Sequence, residues 1–233
     1  MGDRRRTANG HSNGKHAPAR TPVQPRSNKK PQAATARQVR NICVYCGSNP
    51  GRDPAYTEAA RELGRQMAEA GIGLVYGGGG LGLMGEIARS VLAGGGRVTG
   101  IIPSFLSERE QMLRDVTELV VVADMHERKR LMFERSDAFV AMPGGIGTLE
   151  ELVEQLTWAQ LGRHSKPIVL LNVGGFWAPF TTLLDHMRRE AFIRNSMDVS
   201  FRVADSPGAV LDAVRAAAAP AQPLAEAAVA EKF

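Results

Sequence analysis

The residues best suited to chemistry form one stretch, Met142-Pro143-Gly144-Gly145-Ile146-Gly147-Thr148-Leu149-Glu150-Glu151. An apolar run, Ala138–Ala141, precedes it, and a helix-like run, Leu149–Leu161, follows. Glycines between a strand and a helix leave backbone N–H groups unpaired at the positive end of the helix dipole. Such a junction attracts an anion, most often a phosphate. Gly145, Gly147 and Thr148 would donate, and Glu150 and Glu151 fall in the first turn of the expected helix. A phosphate cradle one turn from two carboxylates points to chemistry on a phosphorylated small molecule. Thr148 and Glu151 also fit T-x-x-E, so Glu151 has a plain capping role open to it. A phosphate bound to the same amides would compete with that cap and leave Glu151 facing the rest of the ligand.

Three further groups could converge on this junction. Asp124-Met125-His126-Glu127-Arg128-Lys129 opens a helix behind the apolar run Glu118–Val122. Asp124 and Glu127 form a D-x-x-E capping box, which accounts for Glu127, and His126 reads as a surface residue. Arg128 and Lys129 sit in the first turns, where cations oppose the dipole. An anionic partner would compensate them; a solvated basic face is the plain alternative. Glu110, in an irregular stretch after Pro103, is a third carboxylate within conceivable reach. The second glycine loop, Tyr76 to Gly85, also lies between strand and helix. Gly77, Gly79 and Gly82 satisfy G-x-G-x-x-G, but the next strand, Arg97–Ile102, runs into Pro103 with no acid for a ribose. That argues against NAD or FAD and leaves Gly78 and Gly79 as places where backbone approaches a mononucleotide.

Apolar and amphipathic runs alternate through the chain that must position these groups. Strands are predicted at Asn41–Cys46, Gly73–Tyr76, Arg97–Ile102, Glu118–Val122, Ala138–Ala141, Pro167–Asn172 and Val199–Val203. Helices are predicted at Ala55–Ala70, Leu83–Ala93, His126–Arg135, Leu149–Leu161, Phe176–Glu190 and Pro207–Ala218. Near-continuous apolar strands alternating with helices imply an α/β fold with a mostly parallel, doubly wound sheet and helices on both faces. Its ligands belong at the carboxyl ends of the strands. This single domain is expected over residues 39–219. Residues 1–38 read as a disordered basic tail and 220–233 as a flexible one.

The net charge of +5 is unevenly spread. Residues 1–40 hold 10 of the 29 Lys and Arg against one acid, so the remainder is acidic. A specific nucleic-acid face on the domain is therefore not expected. No apolar run reaches the roughly 18–20 residues of a membrane span, and the start lacks a secretory apolar region, so a cytoplasmic place is expected. Cys43 and Cys46 make a C-x-x-C on a predicted strand, where they point to opposite faces. Core packing explains them better than redox or zinc chemistry.

The joined motifs Cys43-Val44-Tyr45-Cys46-Gly47-Ser48, Tyr76 to Gly85, Met125 to Lys129, Pro143 to Glu151 and Thr157-Trp158-Ala159-Gln160-Leu161-Gly162 resemble the LOG (Lonely Guy) family. Its members are cytokinin riboside 5′-monophosphate phosphoribohydrolases, many once labelled lysine decarboxylases, and the likeness spans about Asn41 to Ser206. It implies a Rossmann-like homodimer without metal or cofactor. It places the essential arginine at Arg128 and the essential glutamate at Glu151. Ligand contacts carried over fall on Glu110, Lys129, Gly144, Gly145, Ile146, Gly147, Thr148, Glu150 and Thr157. Ile146 stands where plant members usually have tyrosine. The implied substrate is AMP or an N6-modified AMP, cleaved to the free base and ribose 5-phosphate. Two rivals stand beside it: a nucleotide-binding module without turnover, and a pyridoxal decarboxylase. The latter needs a Schiff-base lysine, and beyond residue 40 only Lys129, Lys166 and Lys232 occur.

Overall fold

Strand residues buried on both faces build the centre of the molecule. The computed structural model describes residues 38–107, 111–194 and 198–219. Its elements run β1 Asn41–Tyr45, α1 Pro54–Glu69, β2 Gly73–Tyr76, α2 Gly82–Ala93, β3 Val98–Pro103, β4 Glu118–Val122, α3 Met125–Glu134, β5 Ala138–Ala141, α4 Ile146–Gln160, β6 Ile168–Leu171, α5 Ala178–Arg189, β7 Arg202–Ala204 and α6 Pro207–Ala218. All seven strands pair in parallel, in the order β4-β3-β2-β1-β5-β6-β7. The chain order reverses between β1 and β5, and a doubly wound sheet opens its ligand crevice at such a point. The basic and C-terminal tails expected at 1–38 and 220–233 lie outside the described residues, except for Gln38.

Alternation along each strand feeds two cores. Ile42, Val44 and Cys46 join Leu63 and Met67 of α1, Ile87 of α2 and Val210 of α6 on one face. Cys43 and Tyr45 join Met132 of α3 and Leu152 and Leu156 of α4 on the other. Each fully buried aliphatic side chain contributes roughly 1.5–3 kcal/mol. Two continuous cores thus hold the sheet edge as a fixed platform.

Local signals set the helix starts. Asp53 caps α1 by accepting from the Ala55 amide at 2.9 Å, with Pro54 at the first helical position. Asp124 caps α3 by accepting from the Glu127 amide at 2.8 Å, while Glu127 reaches back to the Ala123 amide at 3.1 Å. The predicted box therefore forms, with its return bond one residue earlier than usual.

Two boundaries differ most from expectation, the others by no more than two residues. β7 is Arg202–Ala204, because Val199 is used as a core plug whose amide donates to Asp198 at 2.7 Å. α4 begins at Ile146, since Gly147 takes helical geometry despite its low propensity. Gly145 is the N-cap and Thr148 lies inside the first turn, so Thr148 cannot cap the helix as T-x-x-E would require. The shift also moves Glu150 and Glu151 into the second turn.

Cys43 and Cys46 are unpaired thiols on opposite faces of β1 and its continuation. Burial first, then the nearby Glu151 carboxylate, pushes both thiols well above the usual range. They stay protonated at mildly alkaline pH and are poor nucleophiles. Iodoacetamide should spare the folded protein while modifying both cysteines in urea, as read by mass spectrometry. Equal labelling rates in the two states would place the thiols in solvent.

Candidate active site at the β1–β5 crevice

Both glycine loops lead into helices at the carboxyl edge of the sheet, but only one leaves its helix head open. At the start of α2, the Leu83 and Met84 amides donate to the Gly47 carbonyl at 3.0 and 3.3 Å. The loop before it is paired as well. Gly79 bridges Met112, the Gly80 amide donates to Gln111, and the Leu113 amide donates to the Gly78 carbonyl. Gly78 and Gly79, expected near the ligand, are thus used in chain pairing and do not line the main cavity. Gly82 is needed where it stands: its φ is +53°, and a side chain would strike the Ser48 carbonyl.

At α4 no side chain occupies the cap position, and the amides of Gly145, Ile146, Gly147 and Thr148 form the helix head. A cavity of about 330 Å³ opens there, at the switch between β1 and β5. Gly145, Ile146, Gly147, Thr148, Glu150 and Glu151 line it from α4 and its cap. Arg128 enters from α3, and Cys46, Gly47 and Ser48 from the end of β1. Gly144 sits behind the cradle, where a Cβ would collide with the Thr148 hydroxyl and with the Gly47 amide.

Arg128 is only 6% exposed. Its Nη2 donates to the Gly77 carbonyl at 3.2 Å, and any side chain at position 77 would displace it. Its Nε is buried without a partner among the described residues. A desolvated guanidinium with an unused donor beside open helix amides is a site prepared for an anion. The solvated basic face considered from sequence is excluded for Arg128.

Lys129 behaves differently. Its Nζ is 2.7 Å from Glu150 Oε1 and 2.9 Å from Glu154 Oε1, bridging α3 to α4. Burial would lower its pKa, but the bonds to the two carboxylates outweigh it and raise the ammonium above its ordinary value. Lys129 does not line the cavity, whereas Glu150 does so while holding that ion pair. Thr157 donates from its hydroxyl to the Val153 carbonyl at 2.7 Å on the outer part of α4, away from the cavity of its own chain. Glu110 lies outside the described residues. Met84 and Met125 also border the cavity, and sequence reasoning missed them because apolar spacing alone marks them as core.

No described lysine suits pyridoxal chemistry. Lys129 is committed to its ion pairs, and Lys166 donates to the Phe133 carbonyl at 2.5 Å with its Nζ 3.7 Å from the Phe133 ring centre. A larger cavity, about 410 Å³, lies at the amino ends of the strands. Its three arginines, Arg40, Arg97 and Arg135, are balanced by Glu118, Glu134 and Asp137, and it is at the wrong edge for a doubly wound sheet.

Fold and crevice define a Rossmann-like α/β protein whose α4 head opens onto a cavity at the switch point of the sheet. The profile of the family described as "Possible lysine decarboxylase" matches residues 84–214. A cytokinin riboside 5′-monophosphate phosphoribohydrolase of Oryza sativa subsp. japonica is 53% identical over 156 residues, covering 67% of this chain and 64% of that protein. One from Arabidopsis thaliana is 50% identical over 159 residues, covering 68% and 73%. The chain belongs to this family, the LOG family, and spans a little under two thirds of the rice relative. Among solved structures it is similar to a Moco carrier protein from Chlamydomonas reinhardtii, with a TM-score of 0.58, 24% identity and coverage of 77% and 98%. That likeness concerns the fold.

Substituting Lys129→Met should lower stability by about 1–2 kcal/mol in urea unfolding, the scale of a charge-assisted bond discounted for screening. Thermal stabilisation by added inorganic phosphate should persist in this variant. Loss of the phosphate effect in a folded Lys129→Met protein would make Lys129 a ligand contact instead.

Proposed function

We propose that this protein hydrolyses the N-glycosidic bond of adenosine 5′-monophosphates, including N6-modified ones, releasing the free base and ribose 5-phosphate. The observation that carries this is one cavity combining the open head of α4 with buried Arg128 and the Glu151 carboxylate. The names of the rice and Arabidopsis relatives agree with it.

In this reading the amides of Gly145 through Thr148 hold the 5′-phosphate, and that binding energy positions the sugar. Arg128 supplies fixed positive charge beside the cradle, its Nε completing contacts to the ribose–phosphate end. Glu151 faces C1′. As the bond to the base lengthens, the sugar becomes oxocarbenium-like, and a carboxylate stabilises that charge or takes a proton from the attacking water. The C1′–N bond pair leaves with the base, which gains a proton, and the water oxygen bonds to C1′. Gly144 keeps the cradle narrow, while Ile146, 82% exposed at the rim, gives an apolar lip.

We also propose a homodimer joined through the outer face of α4. Val153 and Leu161 are exposed large apolar residues there, flanking Thr157. A dimer would bring Thr157 toward a partner's cavity without changing its place in its own chain. No helix among the described residues is long and apolar enough to cross a membrane, and both thiols are unpaired, which supports a cytoplasmic setting.

Glu151→Gln should lower turnover by roughly 10²–10⁴-fold, the range for a positioned acid–base group, with an unchanged circular dichroism spectrum. Wild-type turnover in that variant would remove Glu151 from the chemistry. Monophosphates should be cleaved at least about 10²-fold more efficiently than the matching ribosides, since riboside lacks several charge-assisted bonds. Equal efficiencies would show that the α4 head is not a phosphate site. Binding of AMP without release of base would favour the non-catalytic alternative.

A further inference from the structure

The cavity at the head of α4 has a neighbour that cleavage of a monophosphate does not use. A second chamber of about 230 Å³ is walled by Tyr56, Phe176, Leu83, Pro50 and Pro143. It shares Gly47, Ser48 and Gly145 with the first. Tyr56 of α1 and Phe176, just before α5, meet edge to face with ring centres 5.9 Å apart and planes at 80°. That geometry fixes both rings as a stiff wall. The space beside Gly145 is open, with no atom within 4 Å of where a Cβ would be. Leu83 belongs to α2, and none of the apolar wall residues borders the chamber that holds Arg128 and Glu151.

The position of Gly145 decides what could enter. Its amide belongs to the helix head and its backbone lines both chambers, so a phosphate held there stands at the threshold between them. A nucleoside leaves that phosphate into the polar chamber, toward Arg128 and Glu151. A base substituent, at the far end of that nucleoside, points away from the apolar chamber. Only a second group on the phosphate itself would pass the other way.

We propose that the apolar chamber is a subsite for a ring attached to the 5′-phosphate, so that the protein also binds 5′-phosphodiesters of adenosine whose second group is small, flat and apolar. This rests on the placing of the phosphate at α4 under the proposed function. A chamber of about 230 Å³ lies below the roughly 300 Å³ at which pockets for whole ligands begin, and so suits a single ring. Burying a ring of phenylalanine size there should tighten binding about ten- to a hundred-fold.

The test is calorimetric titration of the full chain with AMP, the methyl ester of AMP and the phenyl ester of AMP. The two esters carry equal charge, so their difference reads the ring alone. The phenyl ester should bind about tenfold or more tighter than the methyl ester. Tyr56→Ala should cut that gain below about threefold and leave the methyl ester unaffected. Should Tyr56→Ala fail to fold, Asn49→Trp at the exposed rim of the same chamber should remove the gain by filling it. Equal affinities of the two esters, with AMP bound normally, would overturn this subsite and leave the proposed function standing. Failure of all three to bind would overturn the phosphate placement, and this inference with it.

Discussion

An unpaired amide in a protein either finds an acceptor or costs free energy, and this fold answers that demand differently at two equivalent places. The heads of α2 and α4 both point out of the carboxyl edge of the sheet, each after a run of glycines. The Gly47 carbonyl fills the first, and among the described residues no side chain caps the second. Gly47 also donates from its own amide to the Pro143 carbonyl at 3.1 Å, so a single residue closes one helix and ties down the loop leading to the other. A Cβ there would sit 2.9 Å from the Asn49 carbonyl oxygen. The asymmetry at the edge therefore depends on a pin that tolerates no side chain, and everything said of the ligand depends on the asymmetry.

Arg128 makes sense only beside that open head. A guanidinium removed from water loses several kcal/mol of hydration and regains it only through good partners. Here, among the described residues, it gains a carbonyl, a long contact from Nη1 to Met125 Sδ at 3.7 Å, and no partner at Nε. It also stands in the first turns of α3, whose dipole disfavours a cation. Two local costs for one residue, next to the amides at the head of α4, are what the proposed phosphate would offset.

The fold was readable in the sequence because its signals are local and repeated. β2, β4, β5 and α6 fall where the apolar pattern places them, since four or five apolar residues between turn residues leave little choice of register. The head of α4 was harder to read. Gly147 has poor helix propensity, yet it is helical, as the second residue of α4. The second glycine loop has the spacing of a ligand loop, but its Gly78 carbonyl and Gly80 amide pair with Leu113 and Gln111, some thirty residues on. No pattern within the loop itself reports a partner so far away.

The charged pairs show the same limit and its physical basis. Arg128 and Lys129 are neighbours on α3, as Glu150 and Glu151 are on α4, and the family resemblance assigns all four to the ligand site. Consecutive helical residues point about 100° apart, so neighbours can serve different partners, even where, as with Glu150 and Glu151, both border the cavity. Arg128 and Glu151 line the cavity, whereas Lys129 turns aside to Glu150 and to Glu154, one turn further along α4. The outer pair clamps α3 to α4 at the point where the inner pair projects. A cavity carboxylate and a buried cation keep their spacing only if their backbones do not drift, and the Lys129 bridge supplies that restraint from outside the cavity. Doubling the charges in each motif lets one pair line the cavity while its neighbours tie α3 to α4.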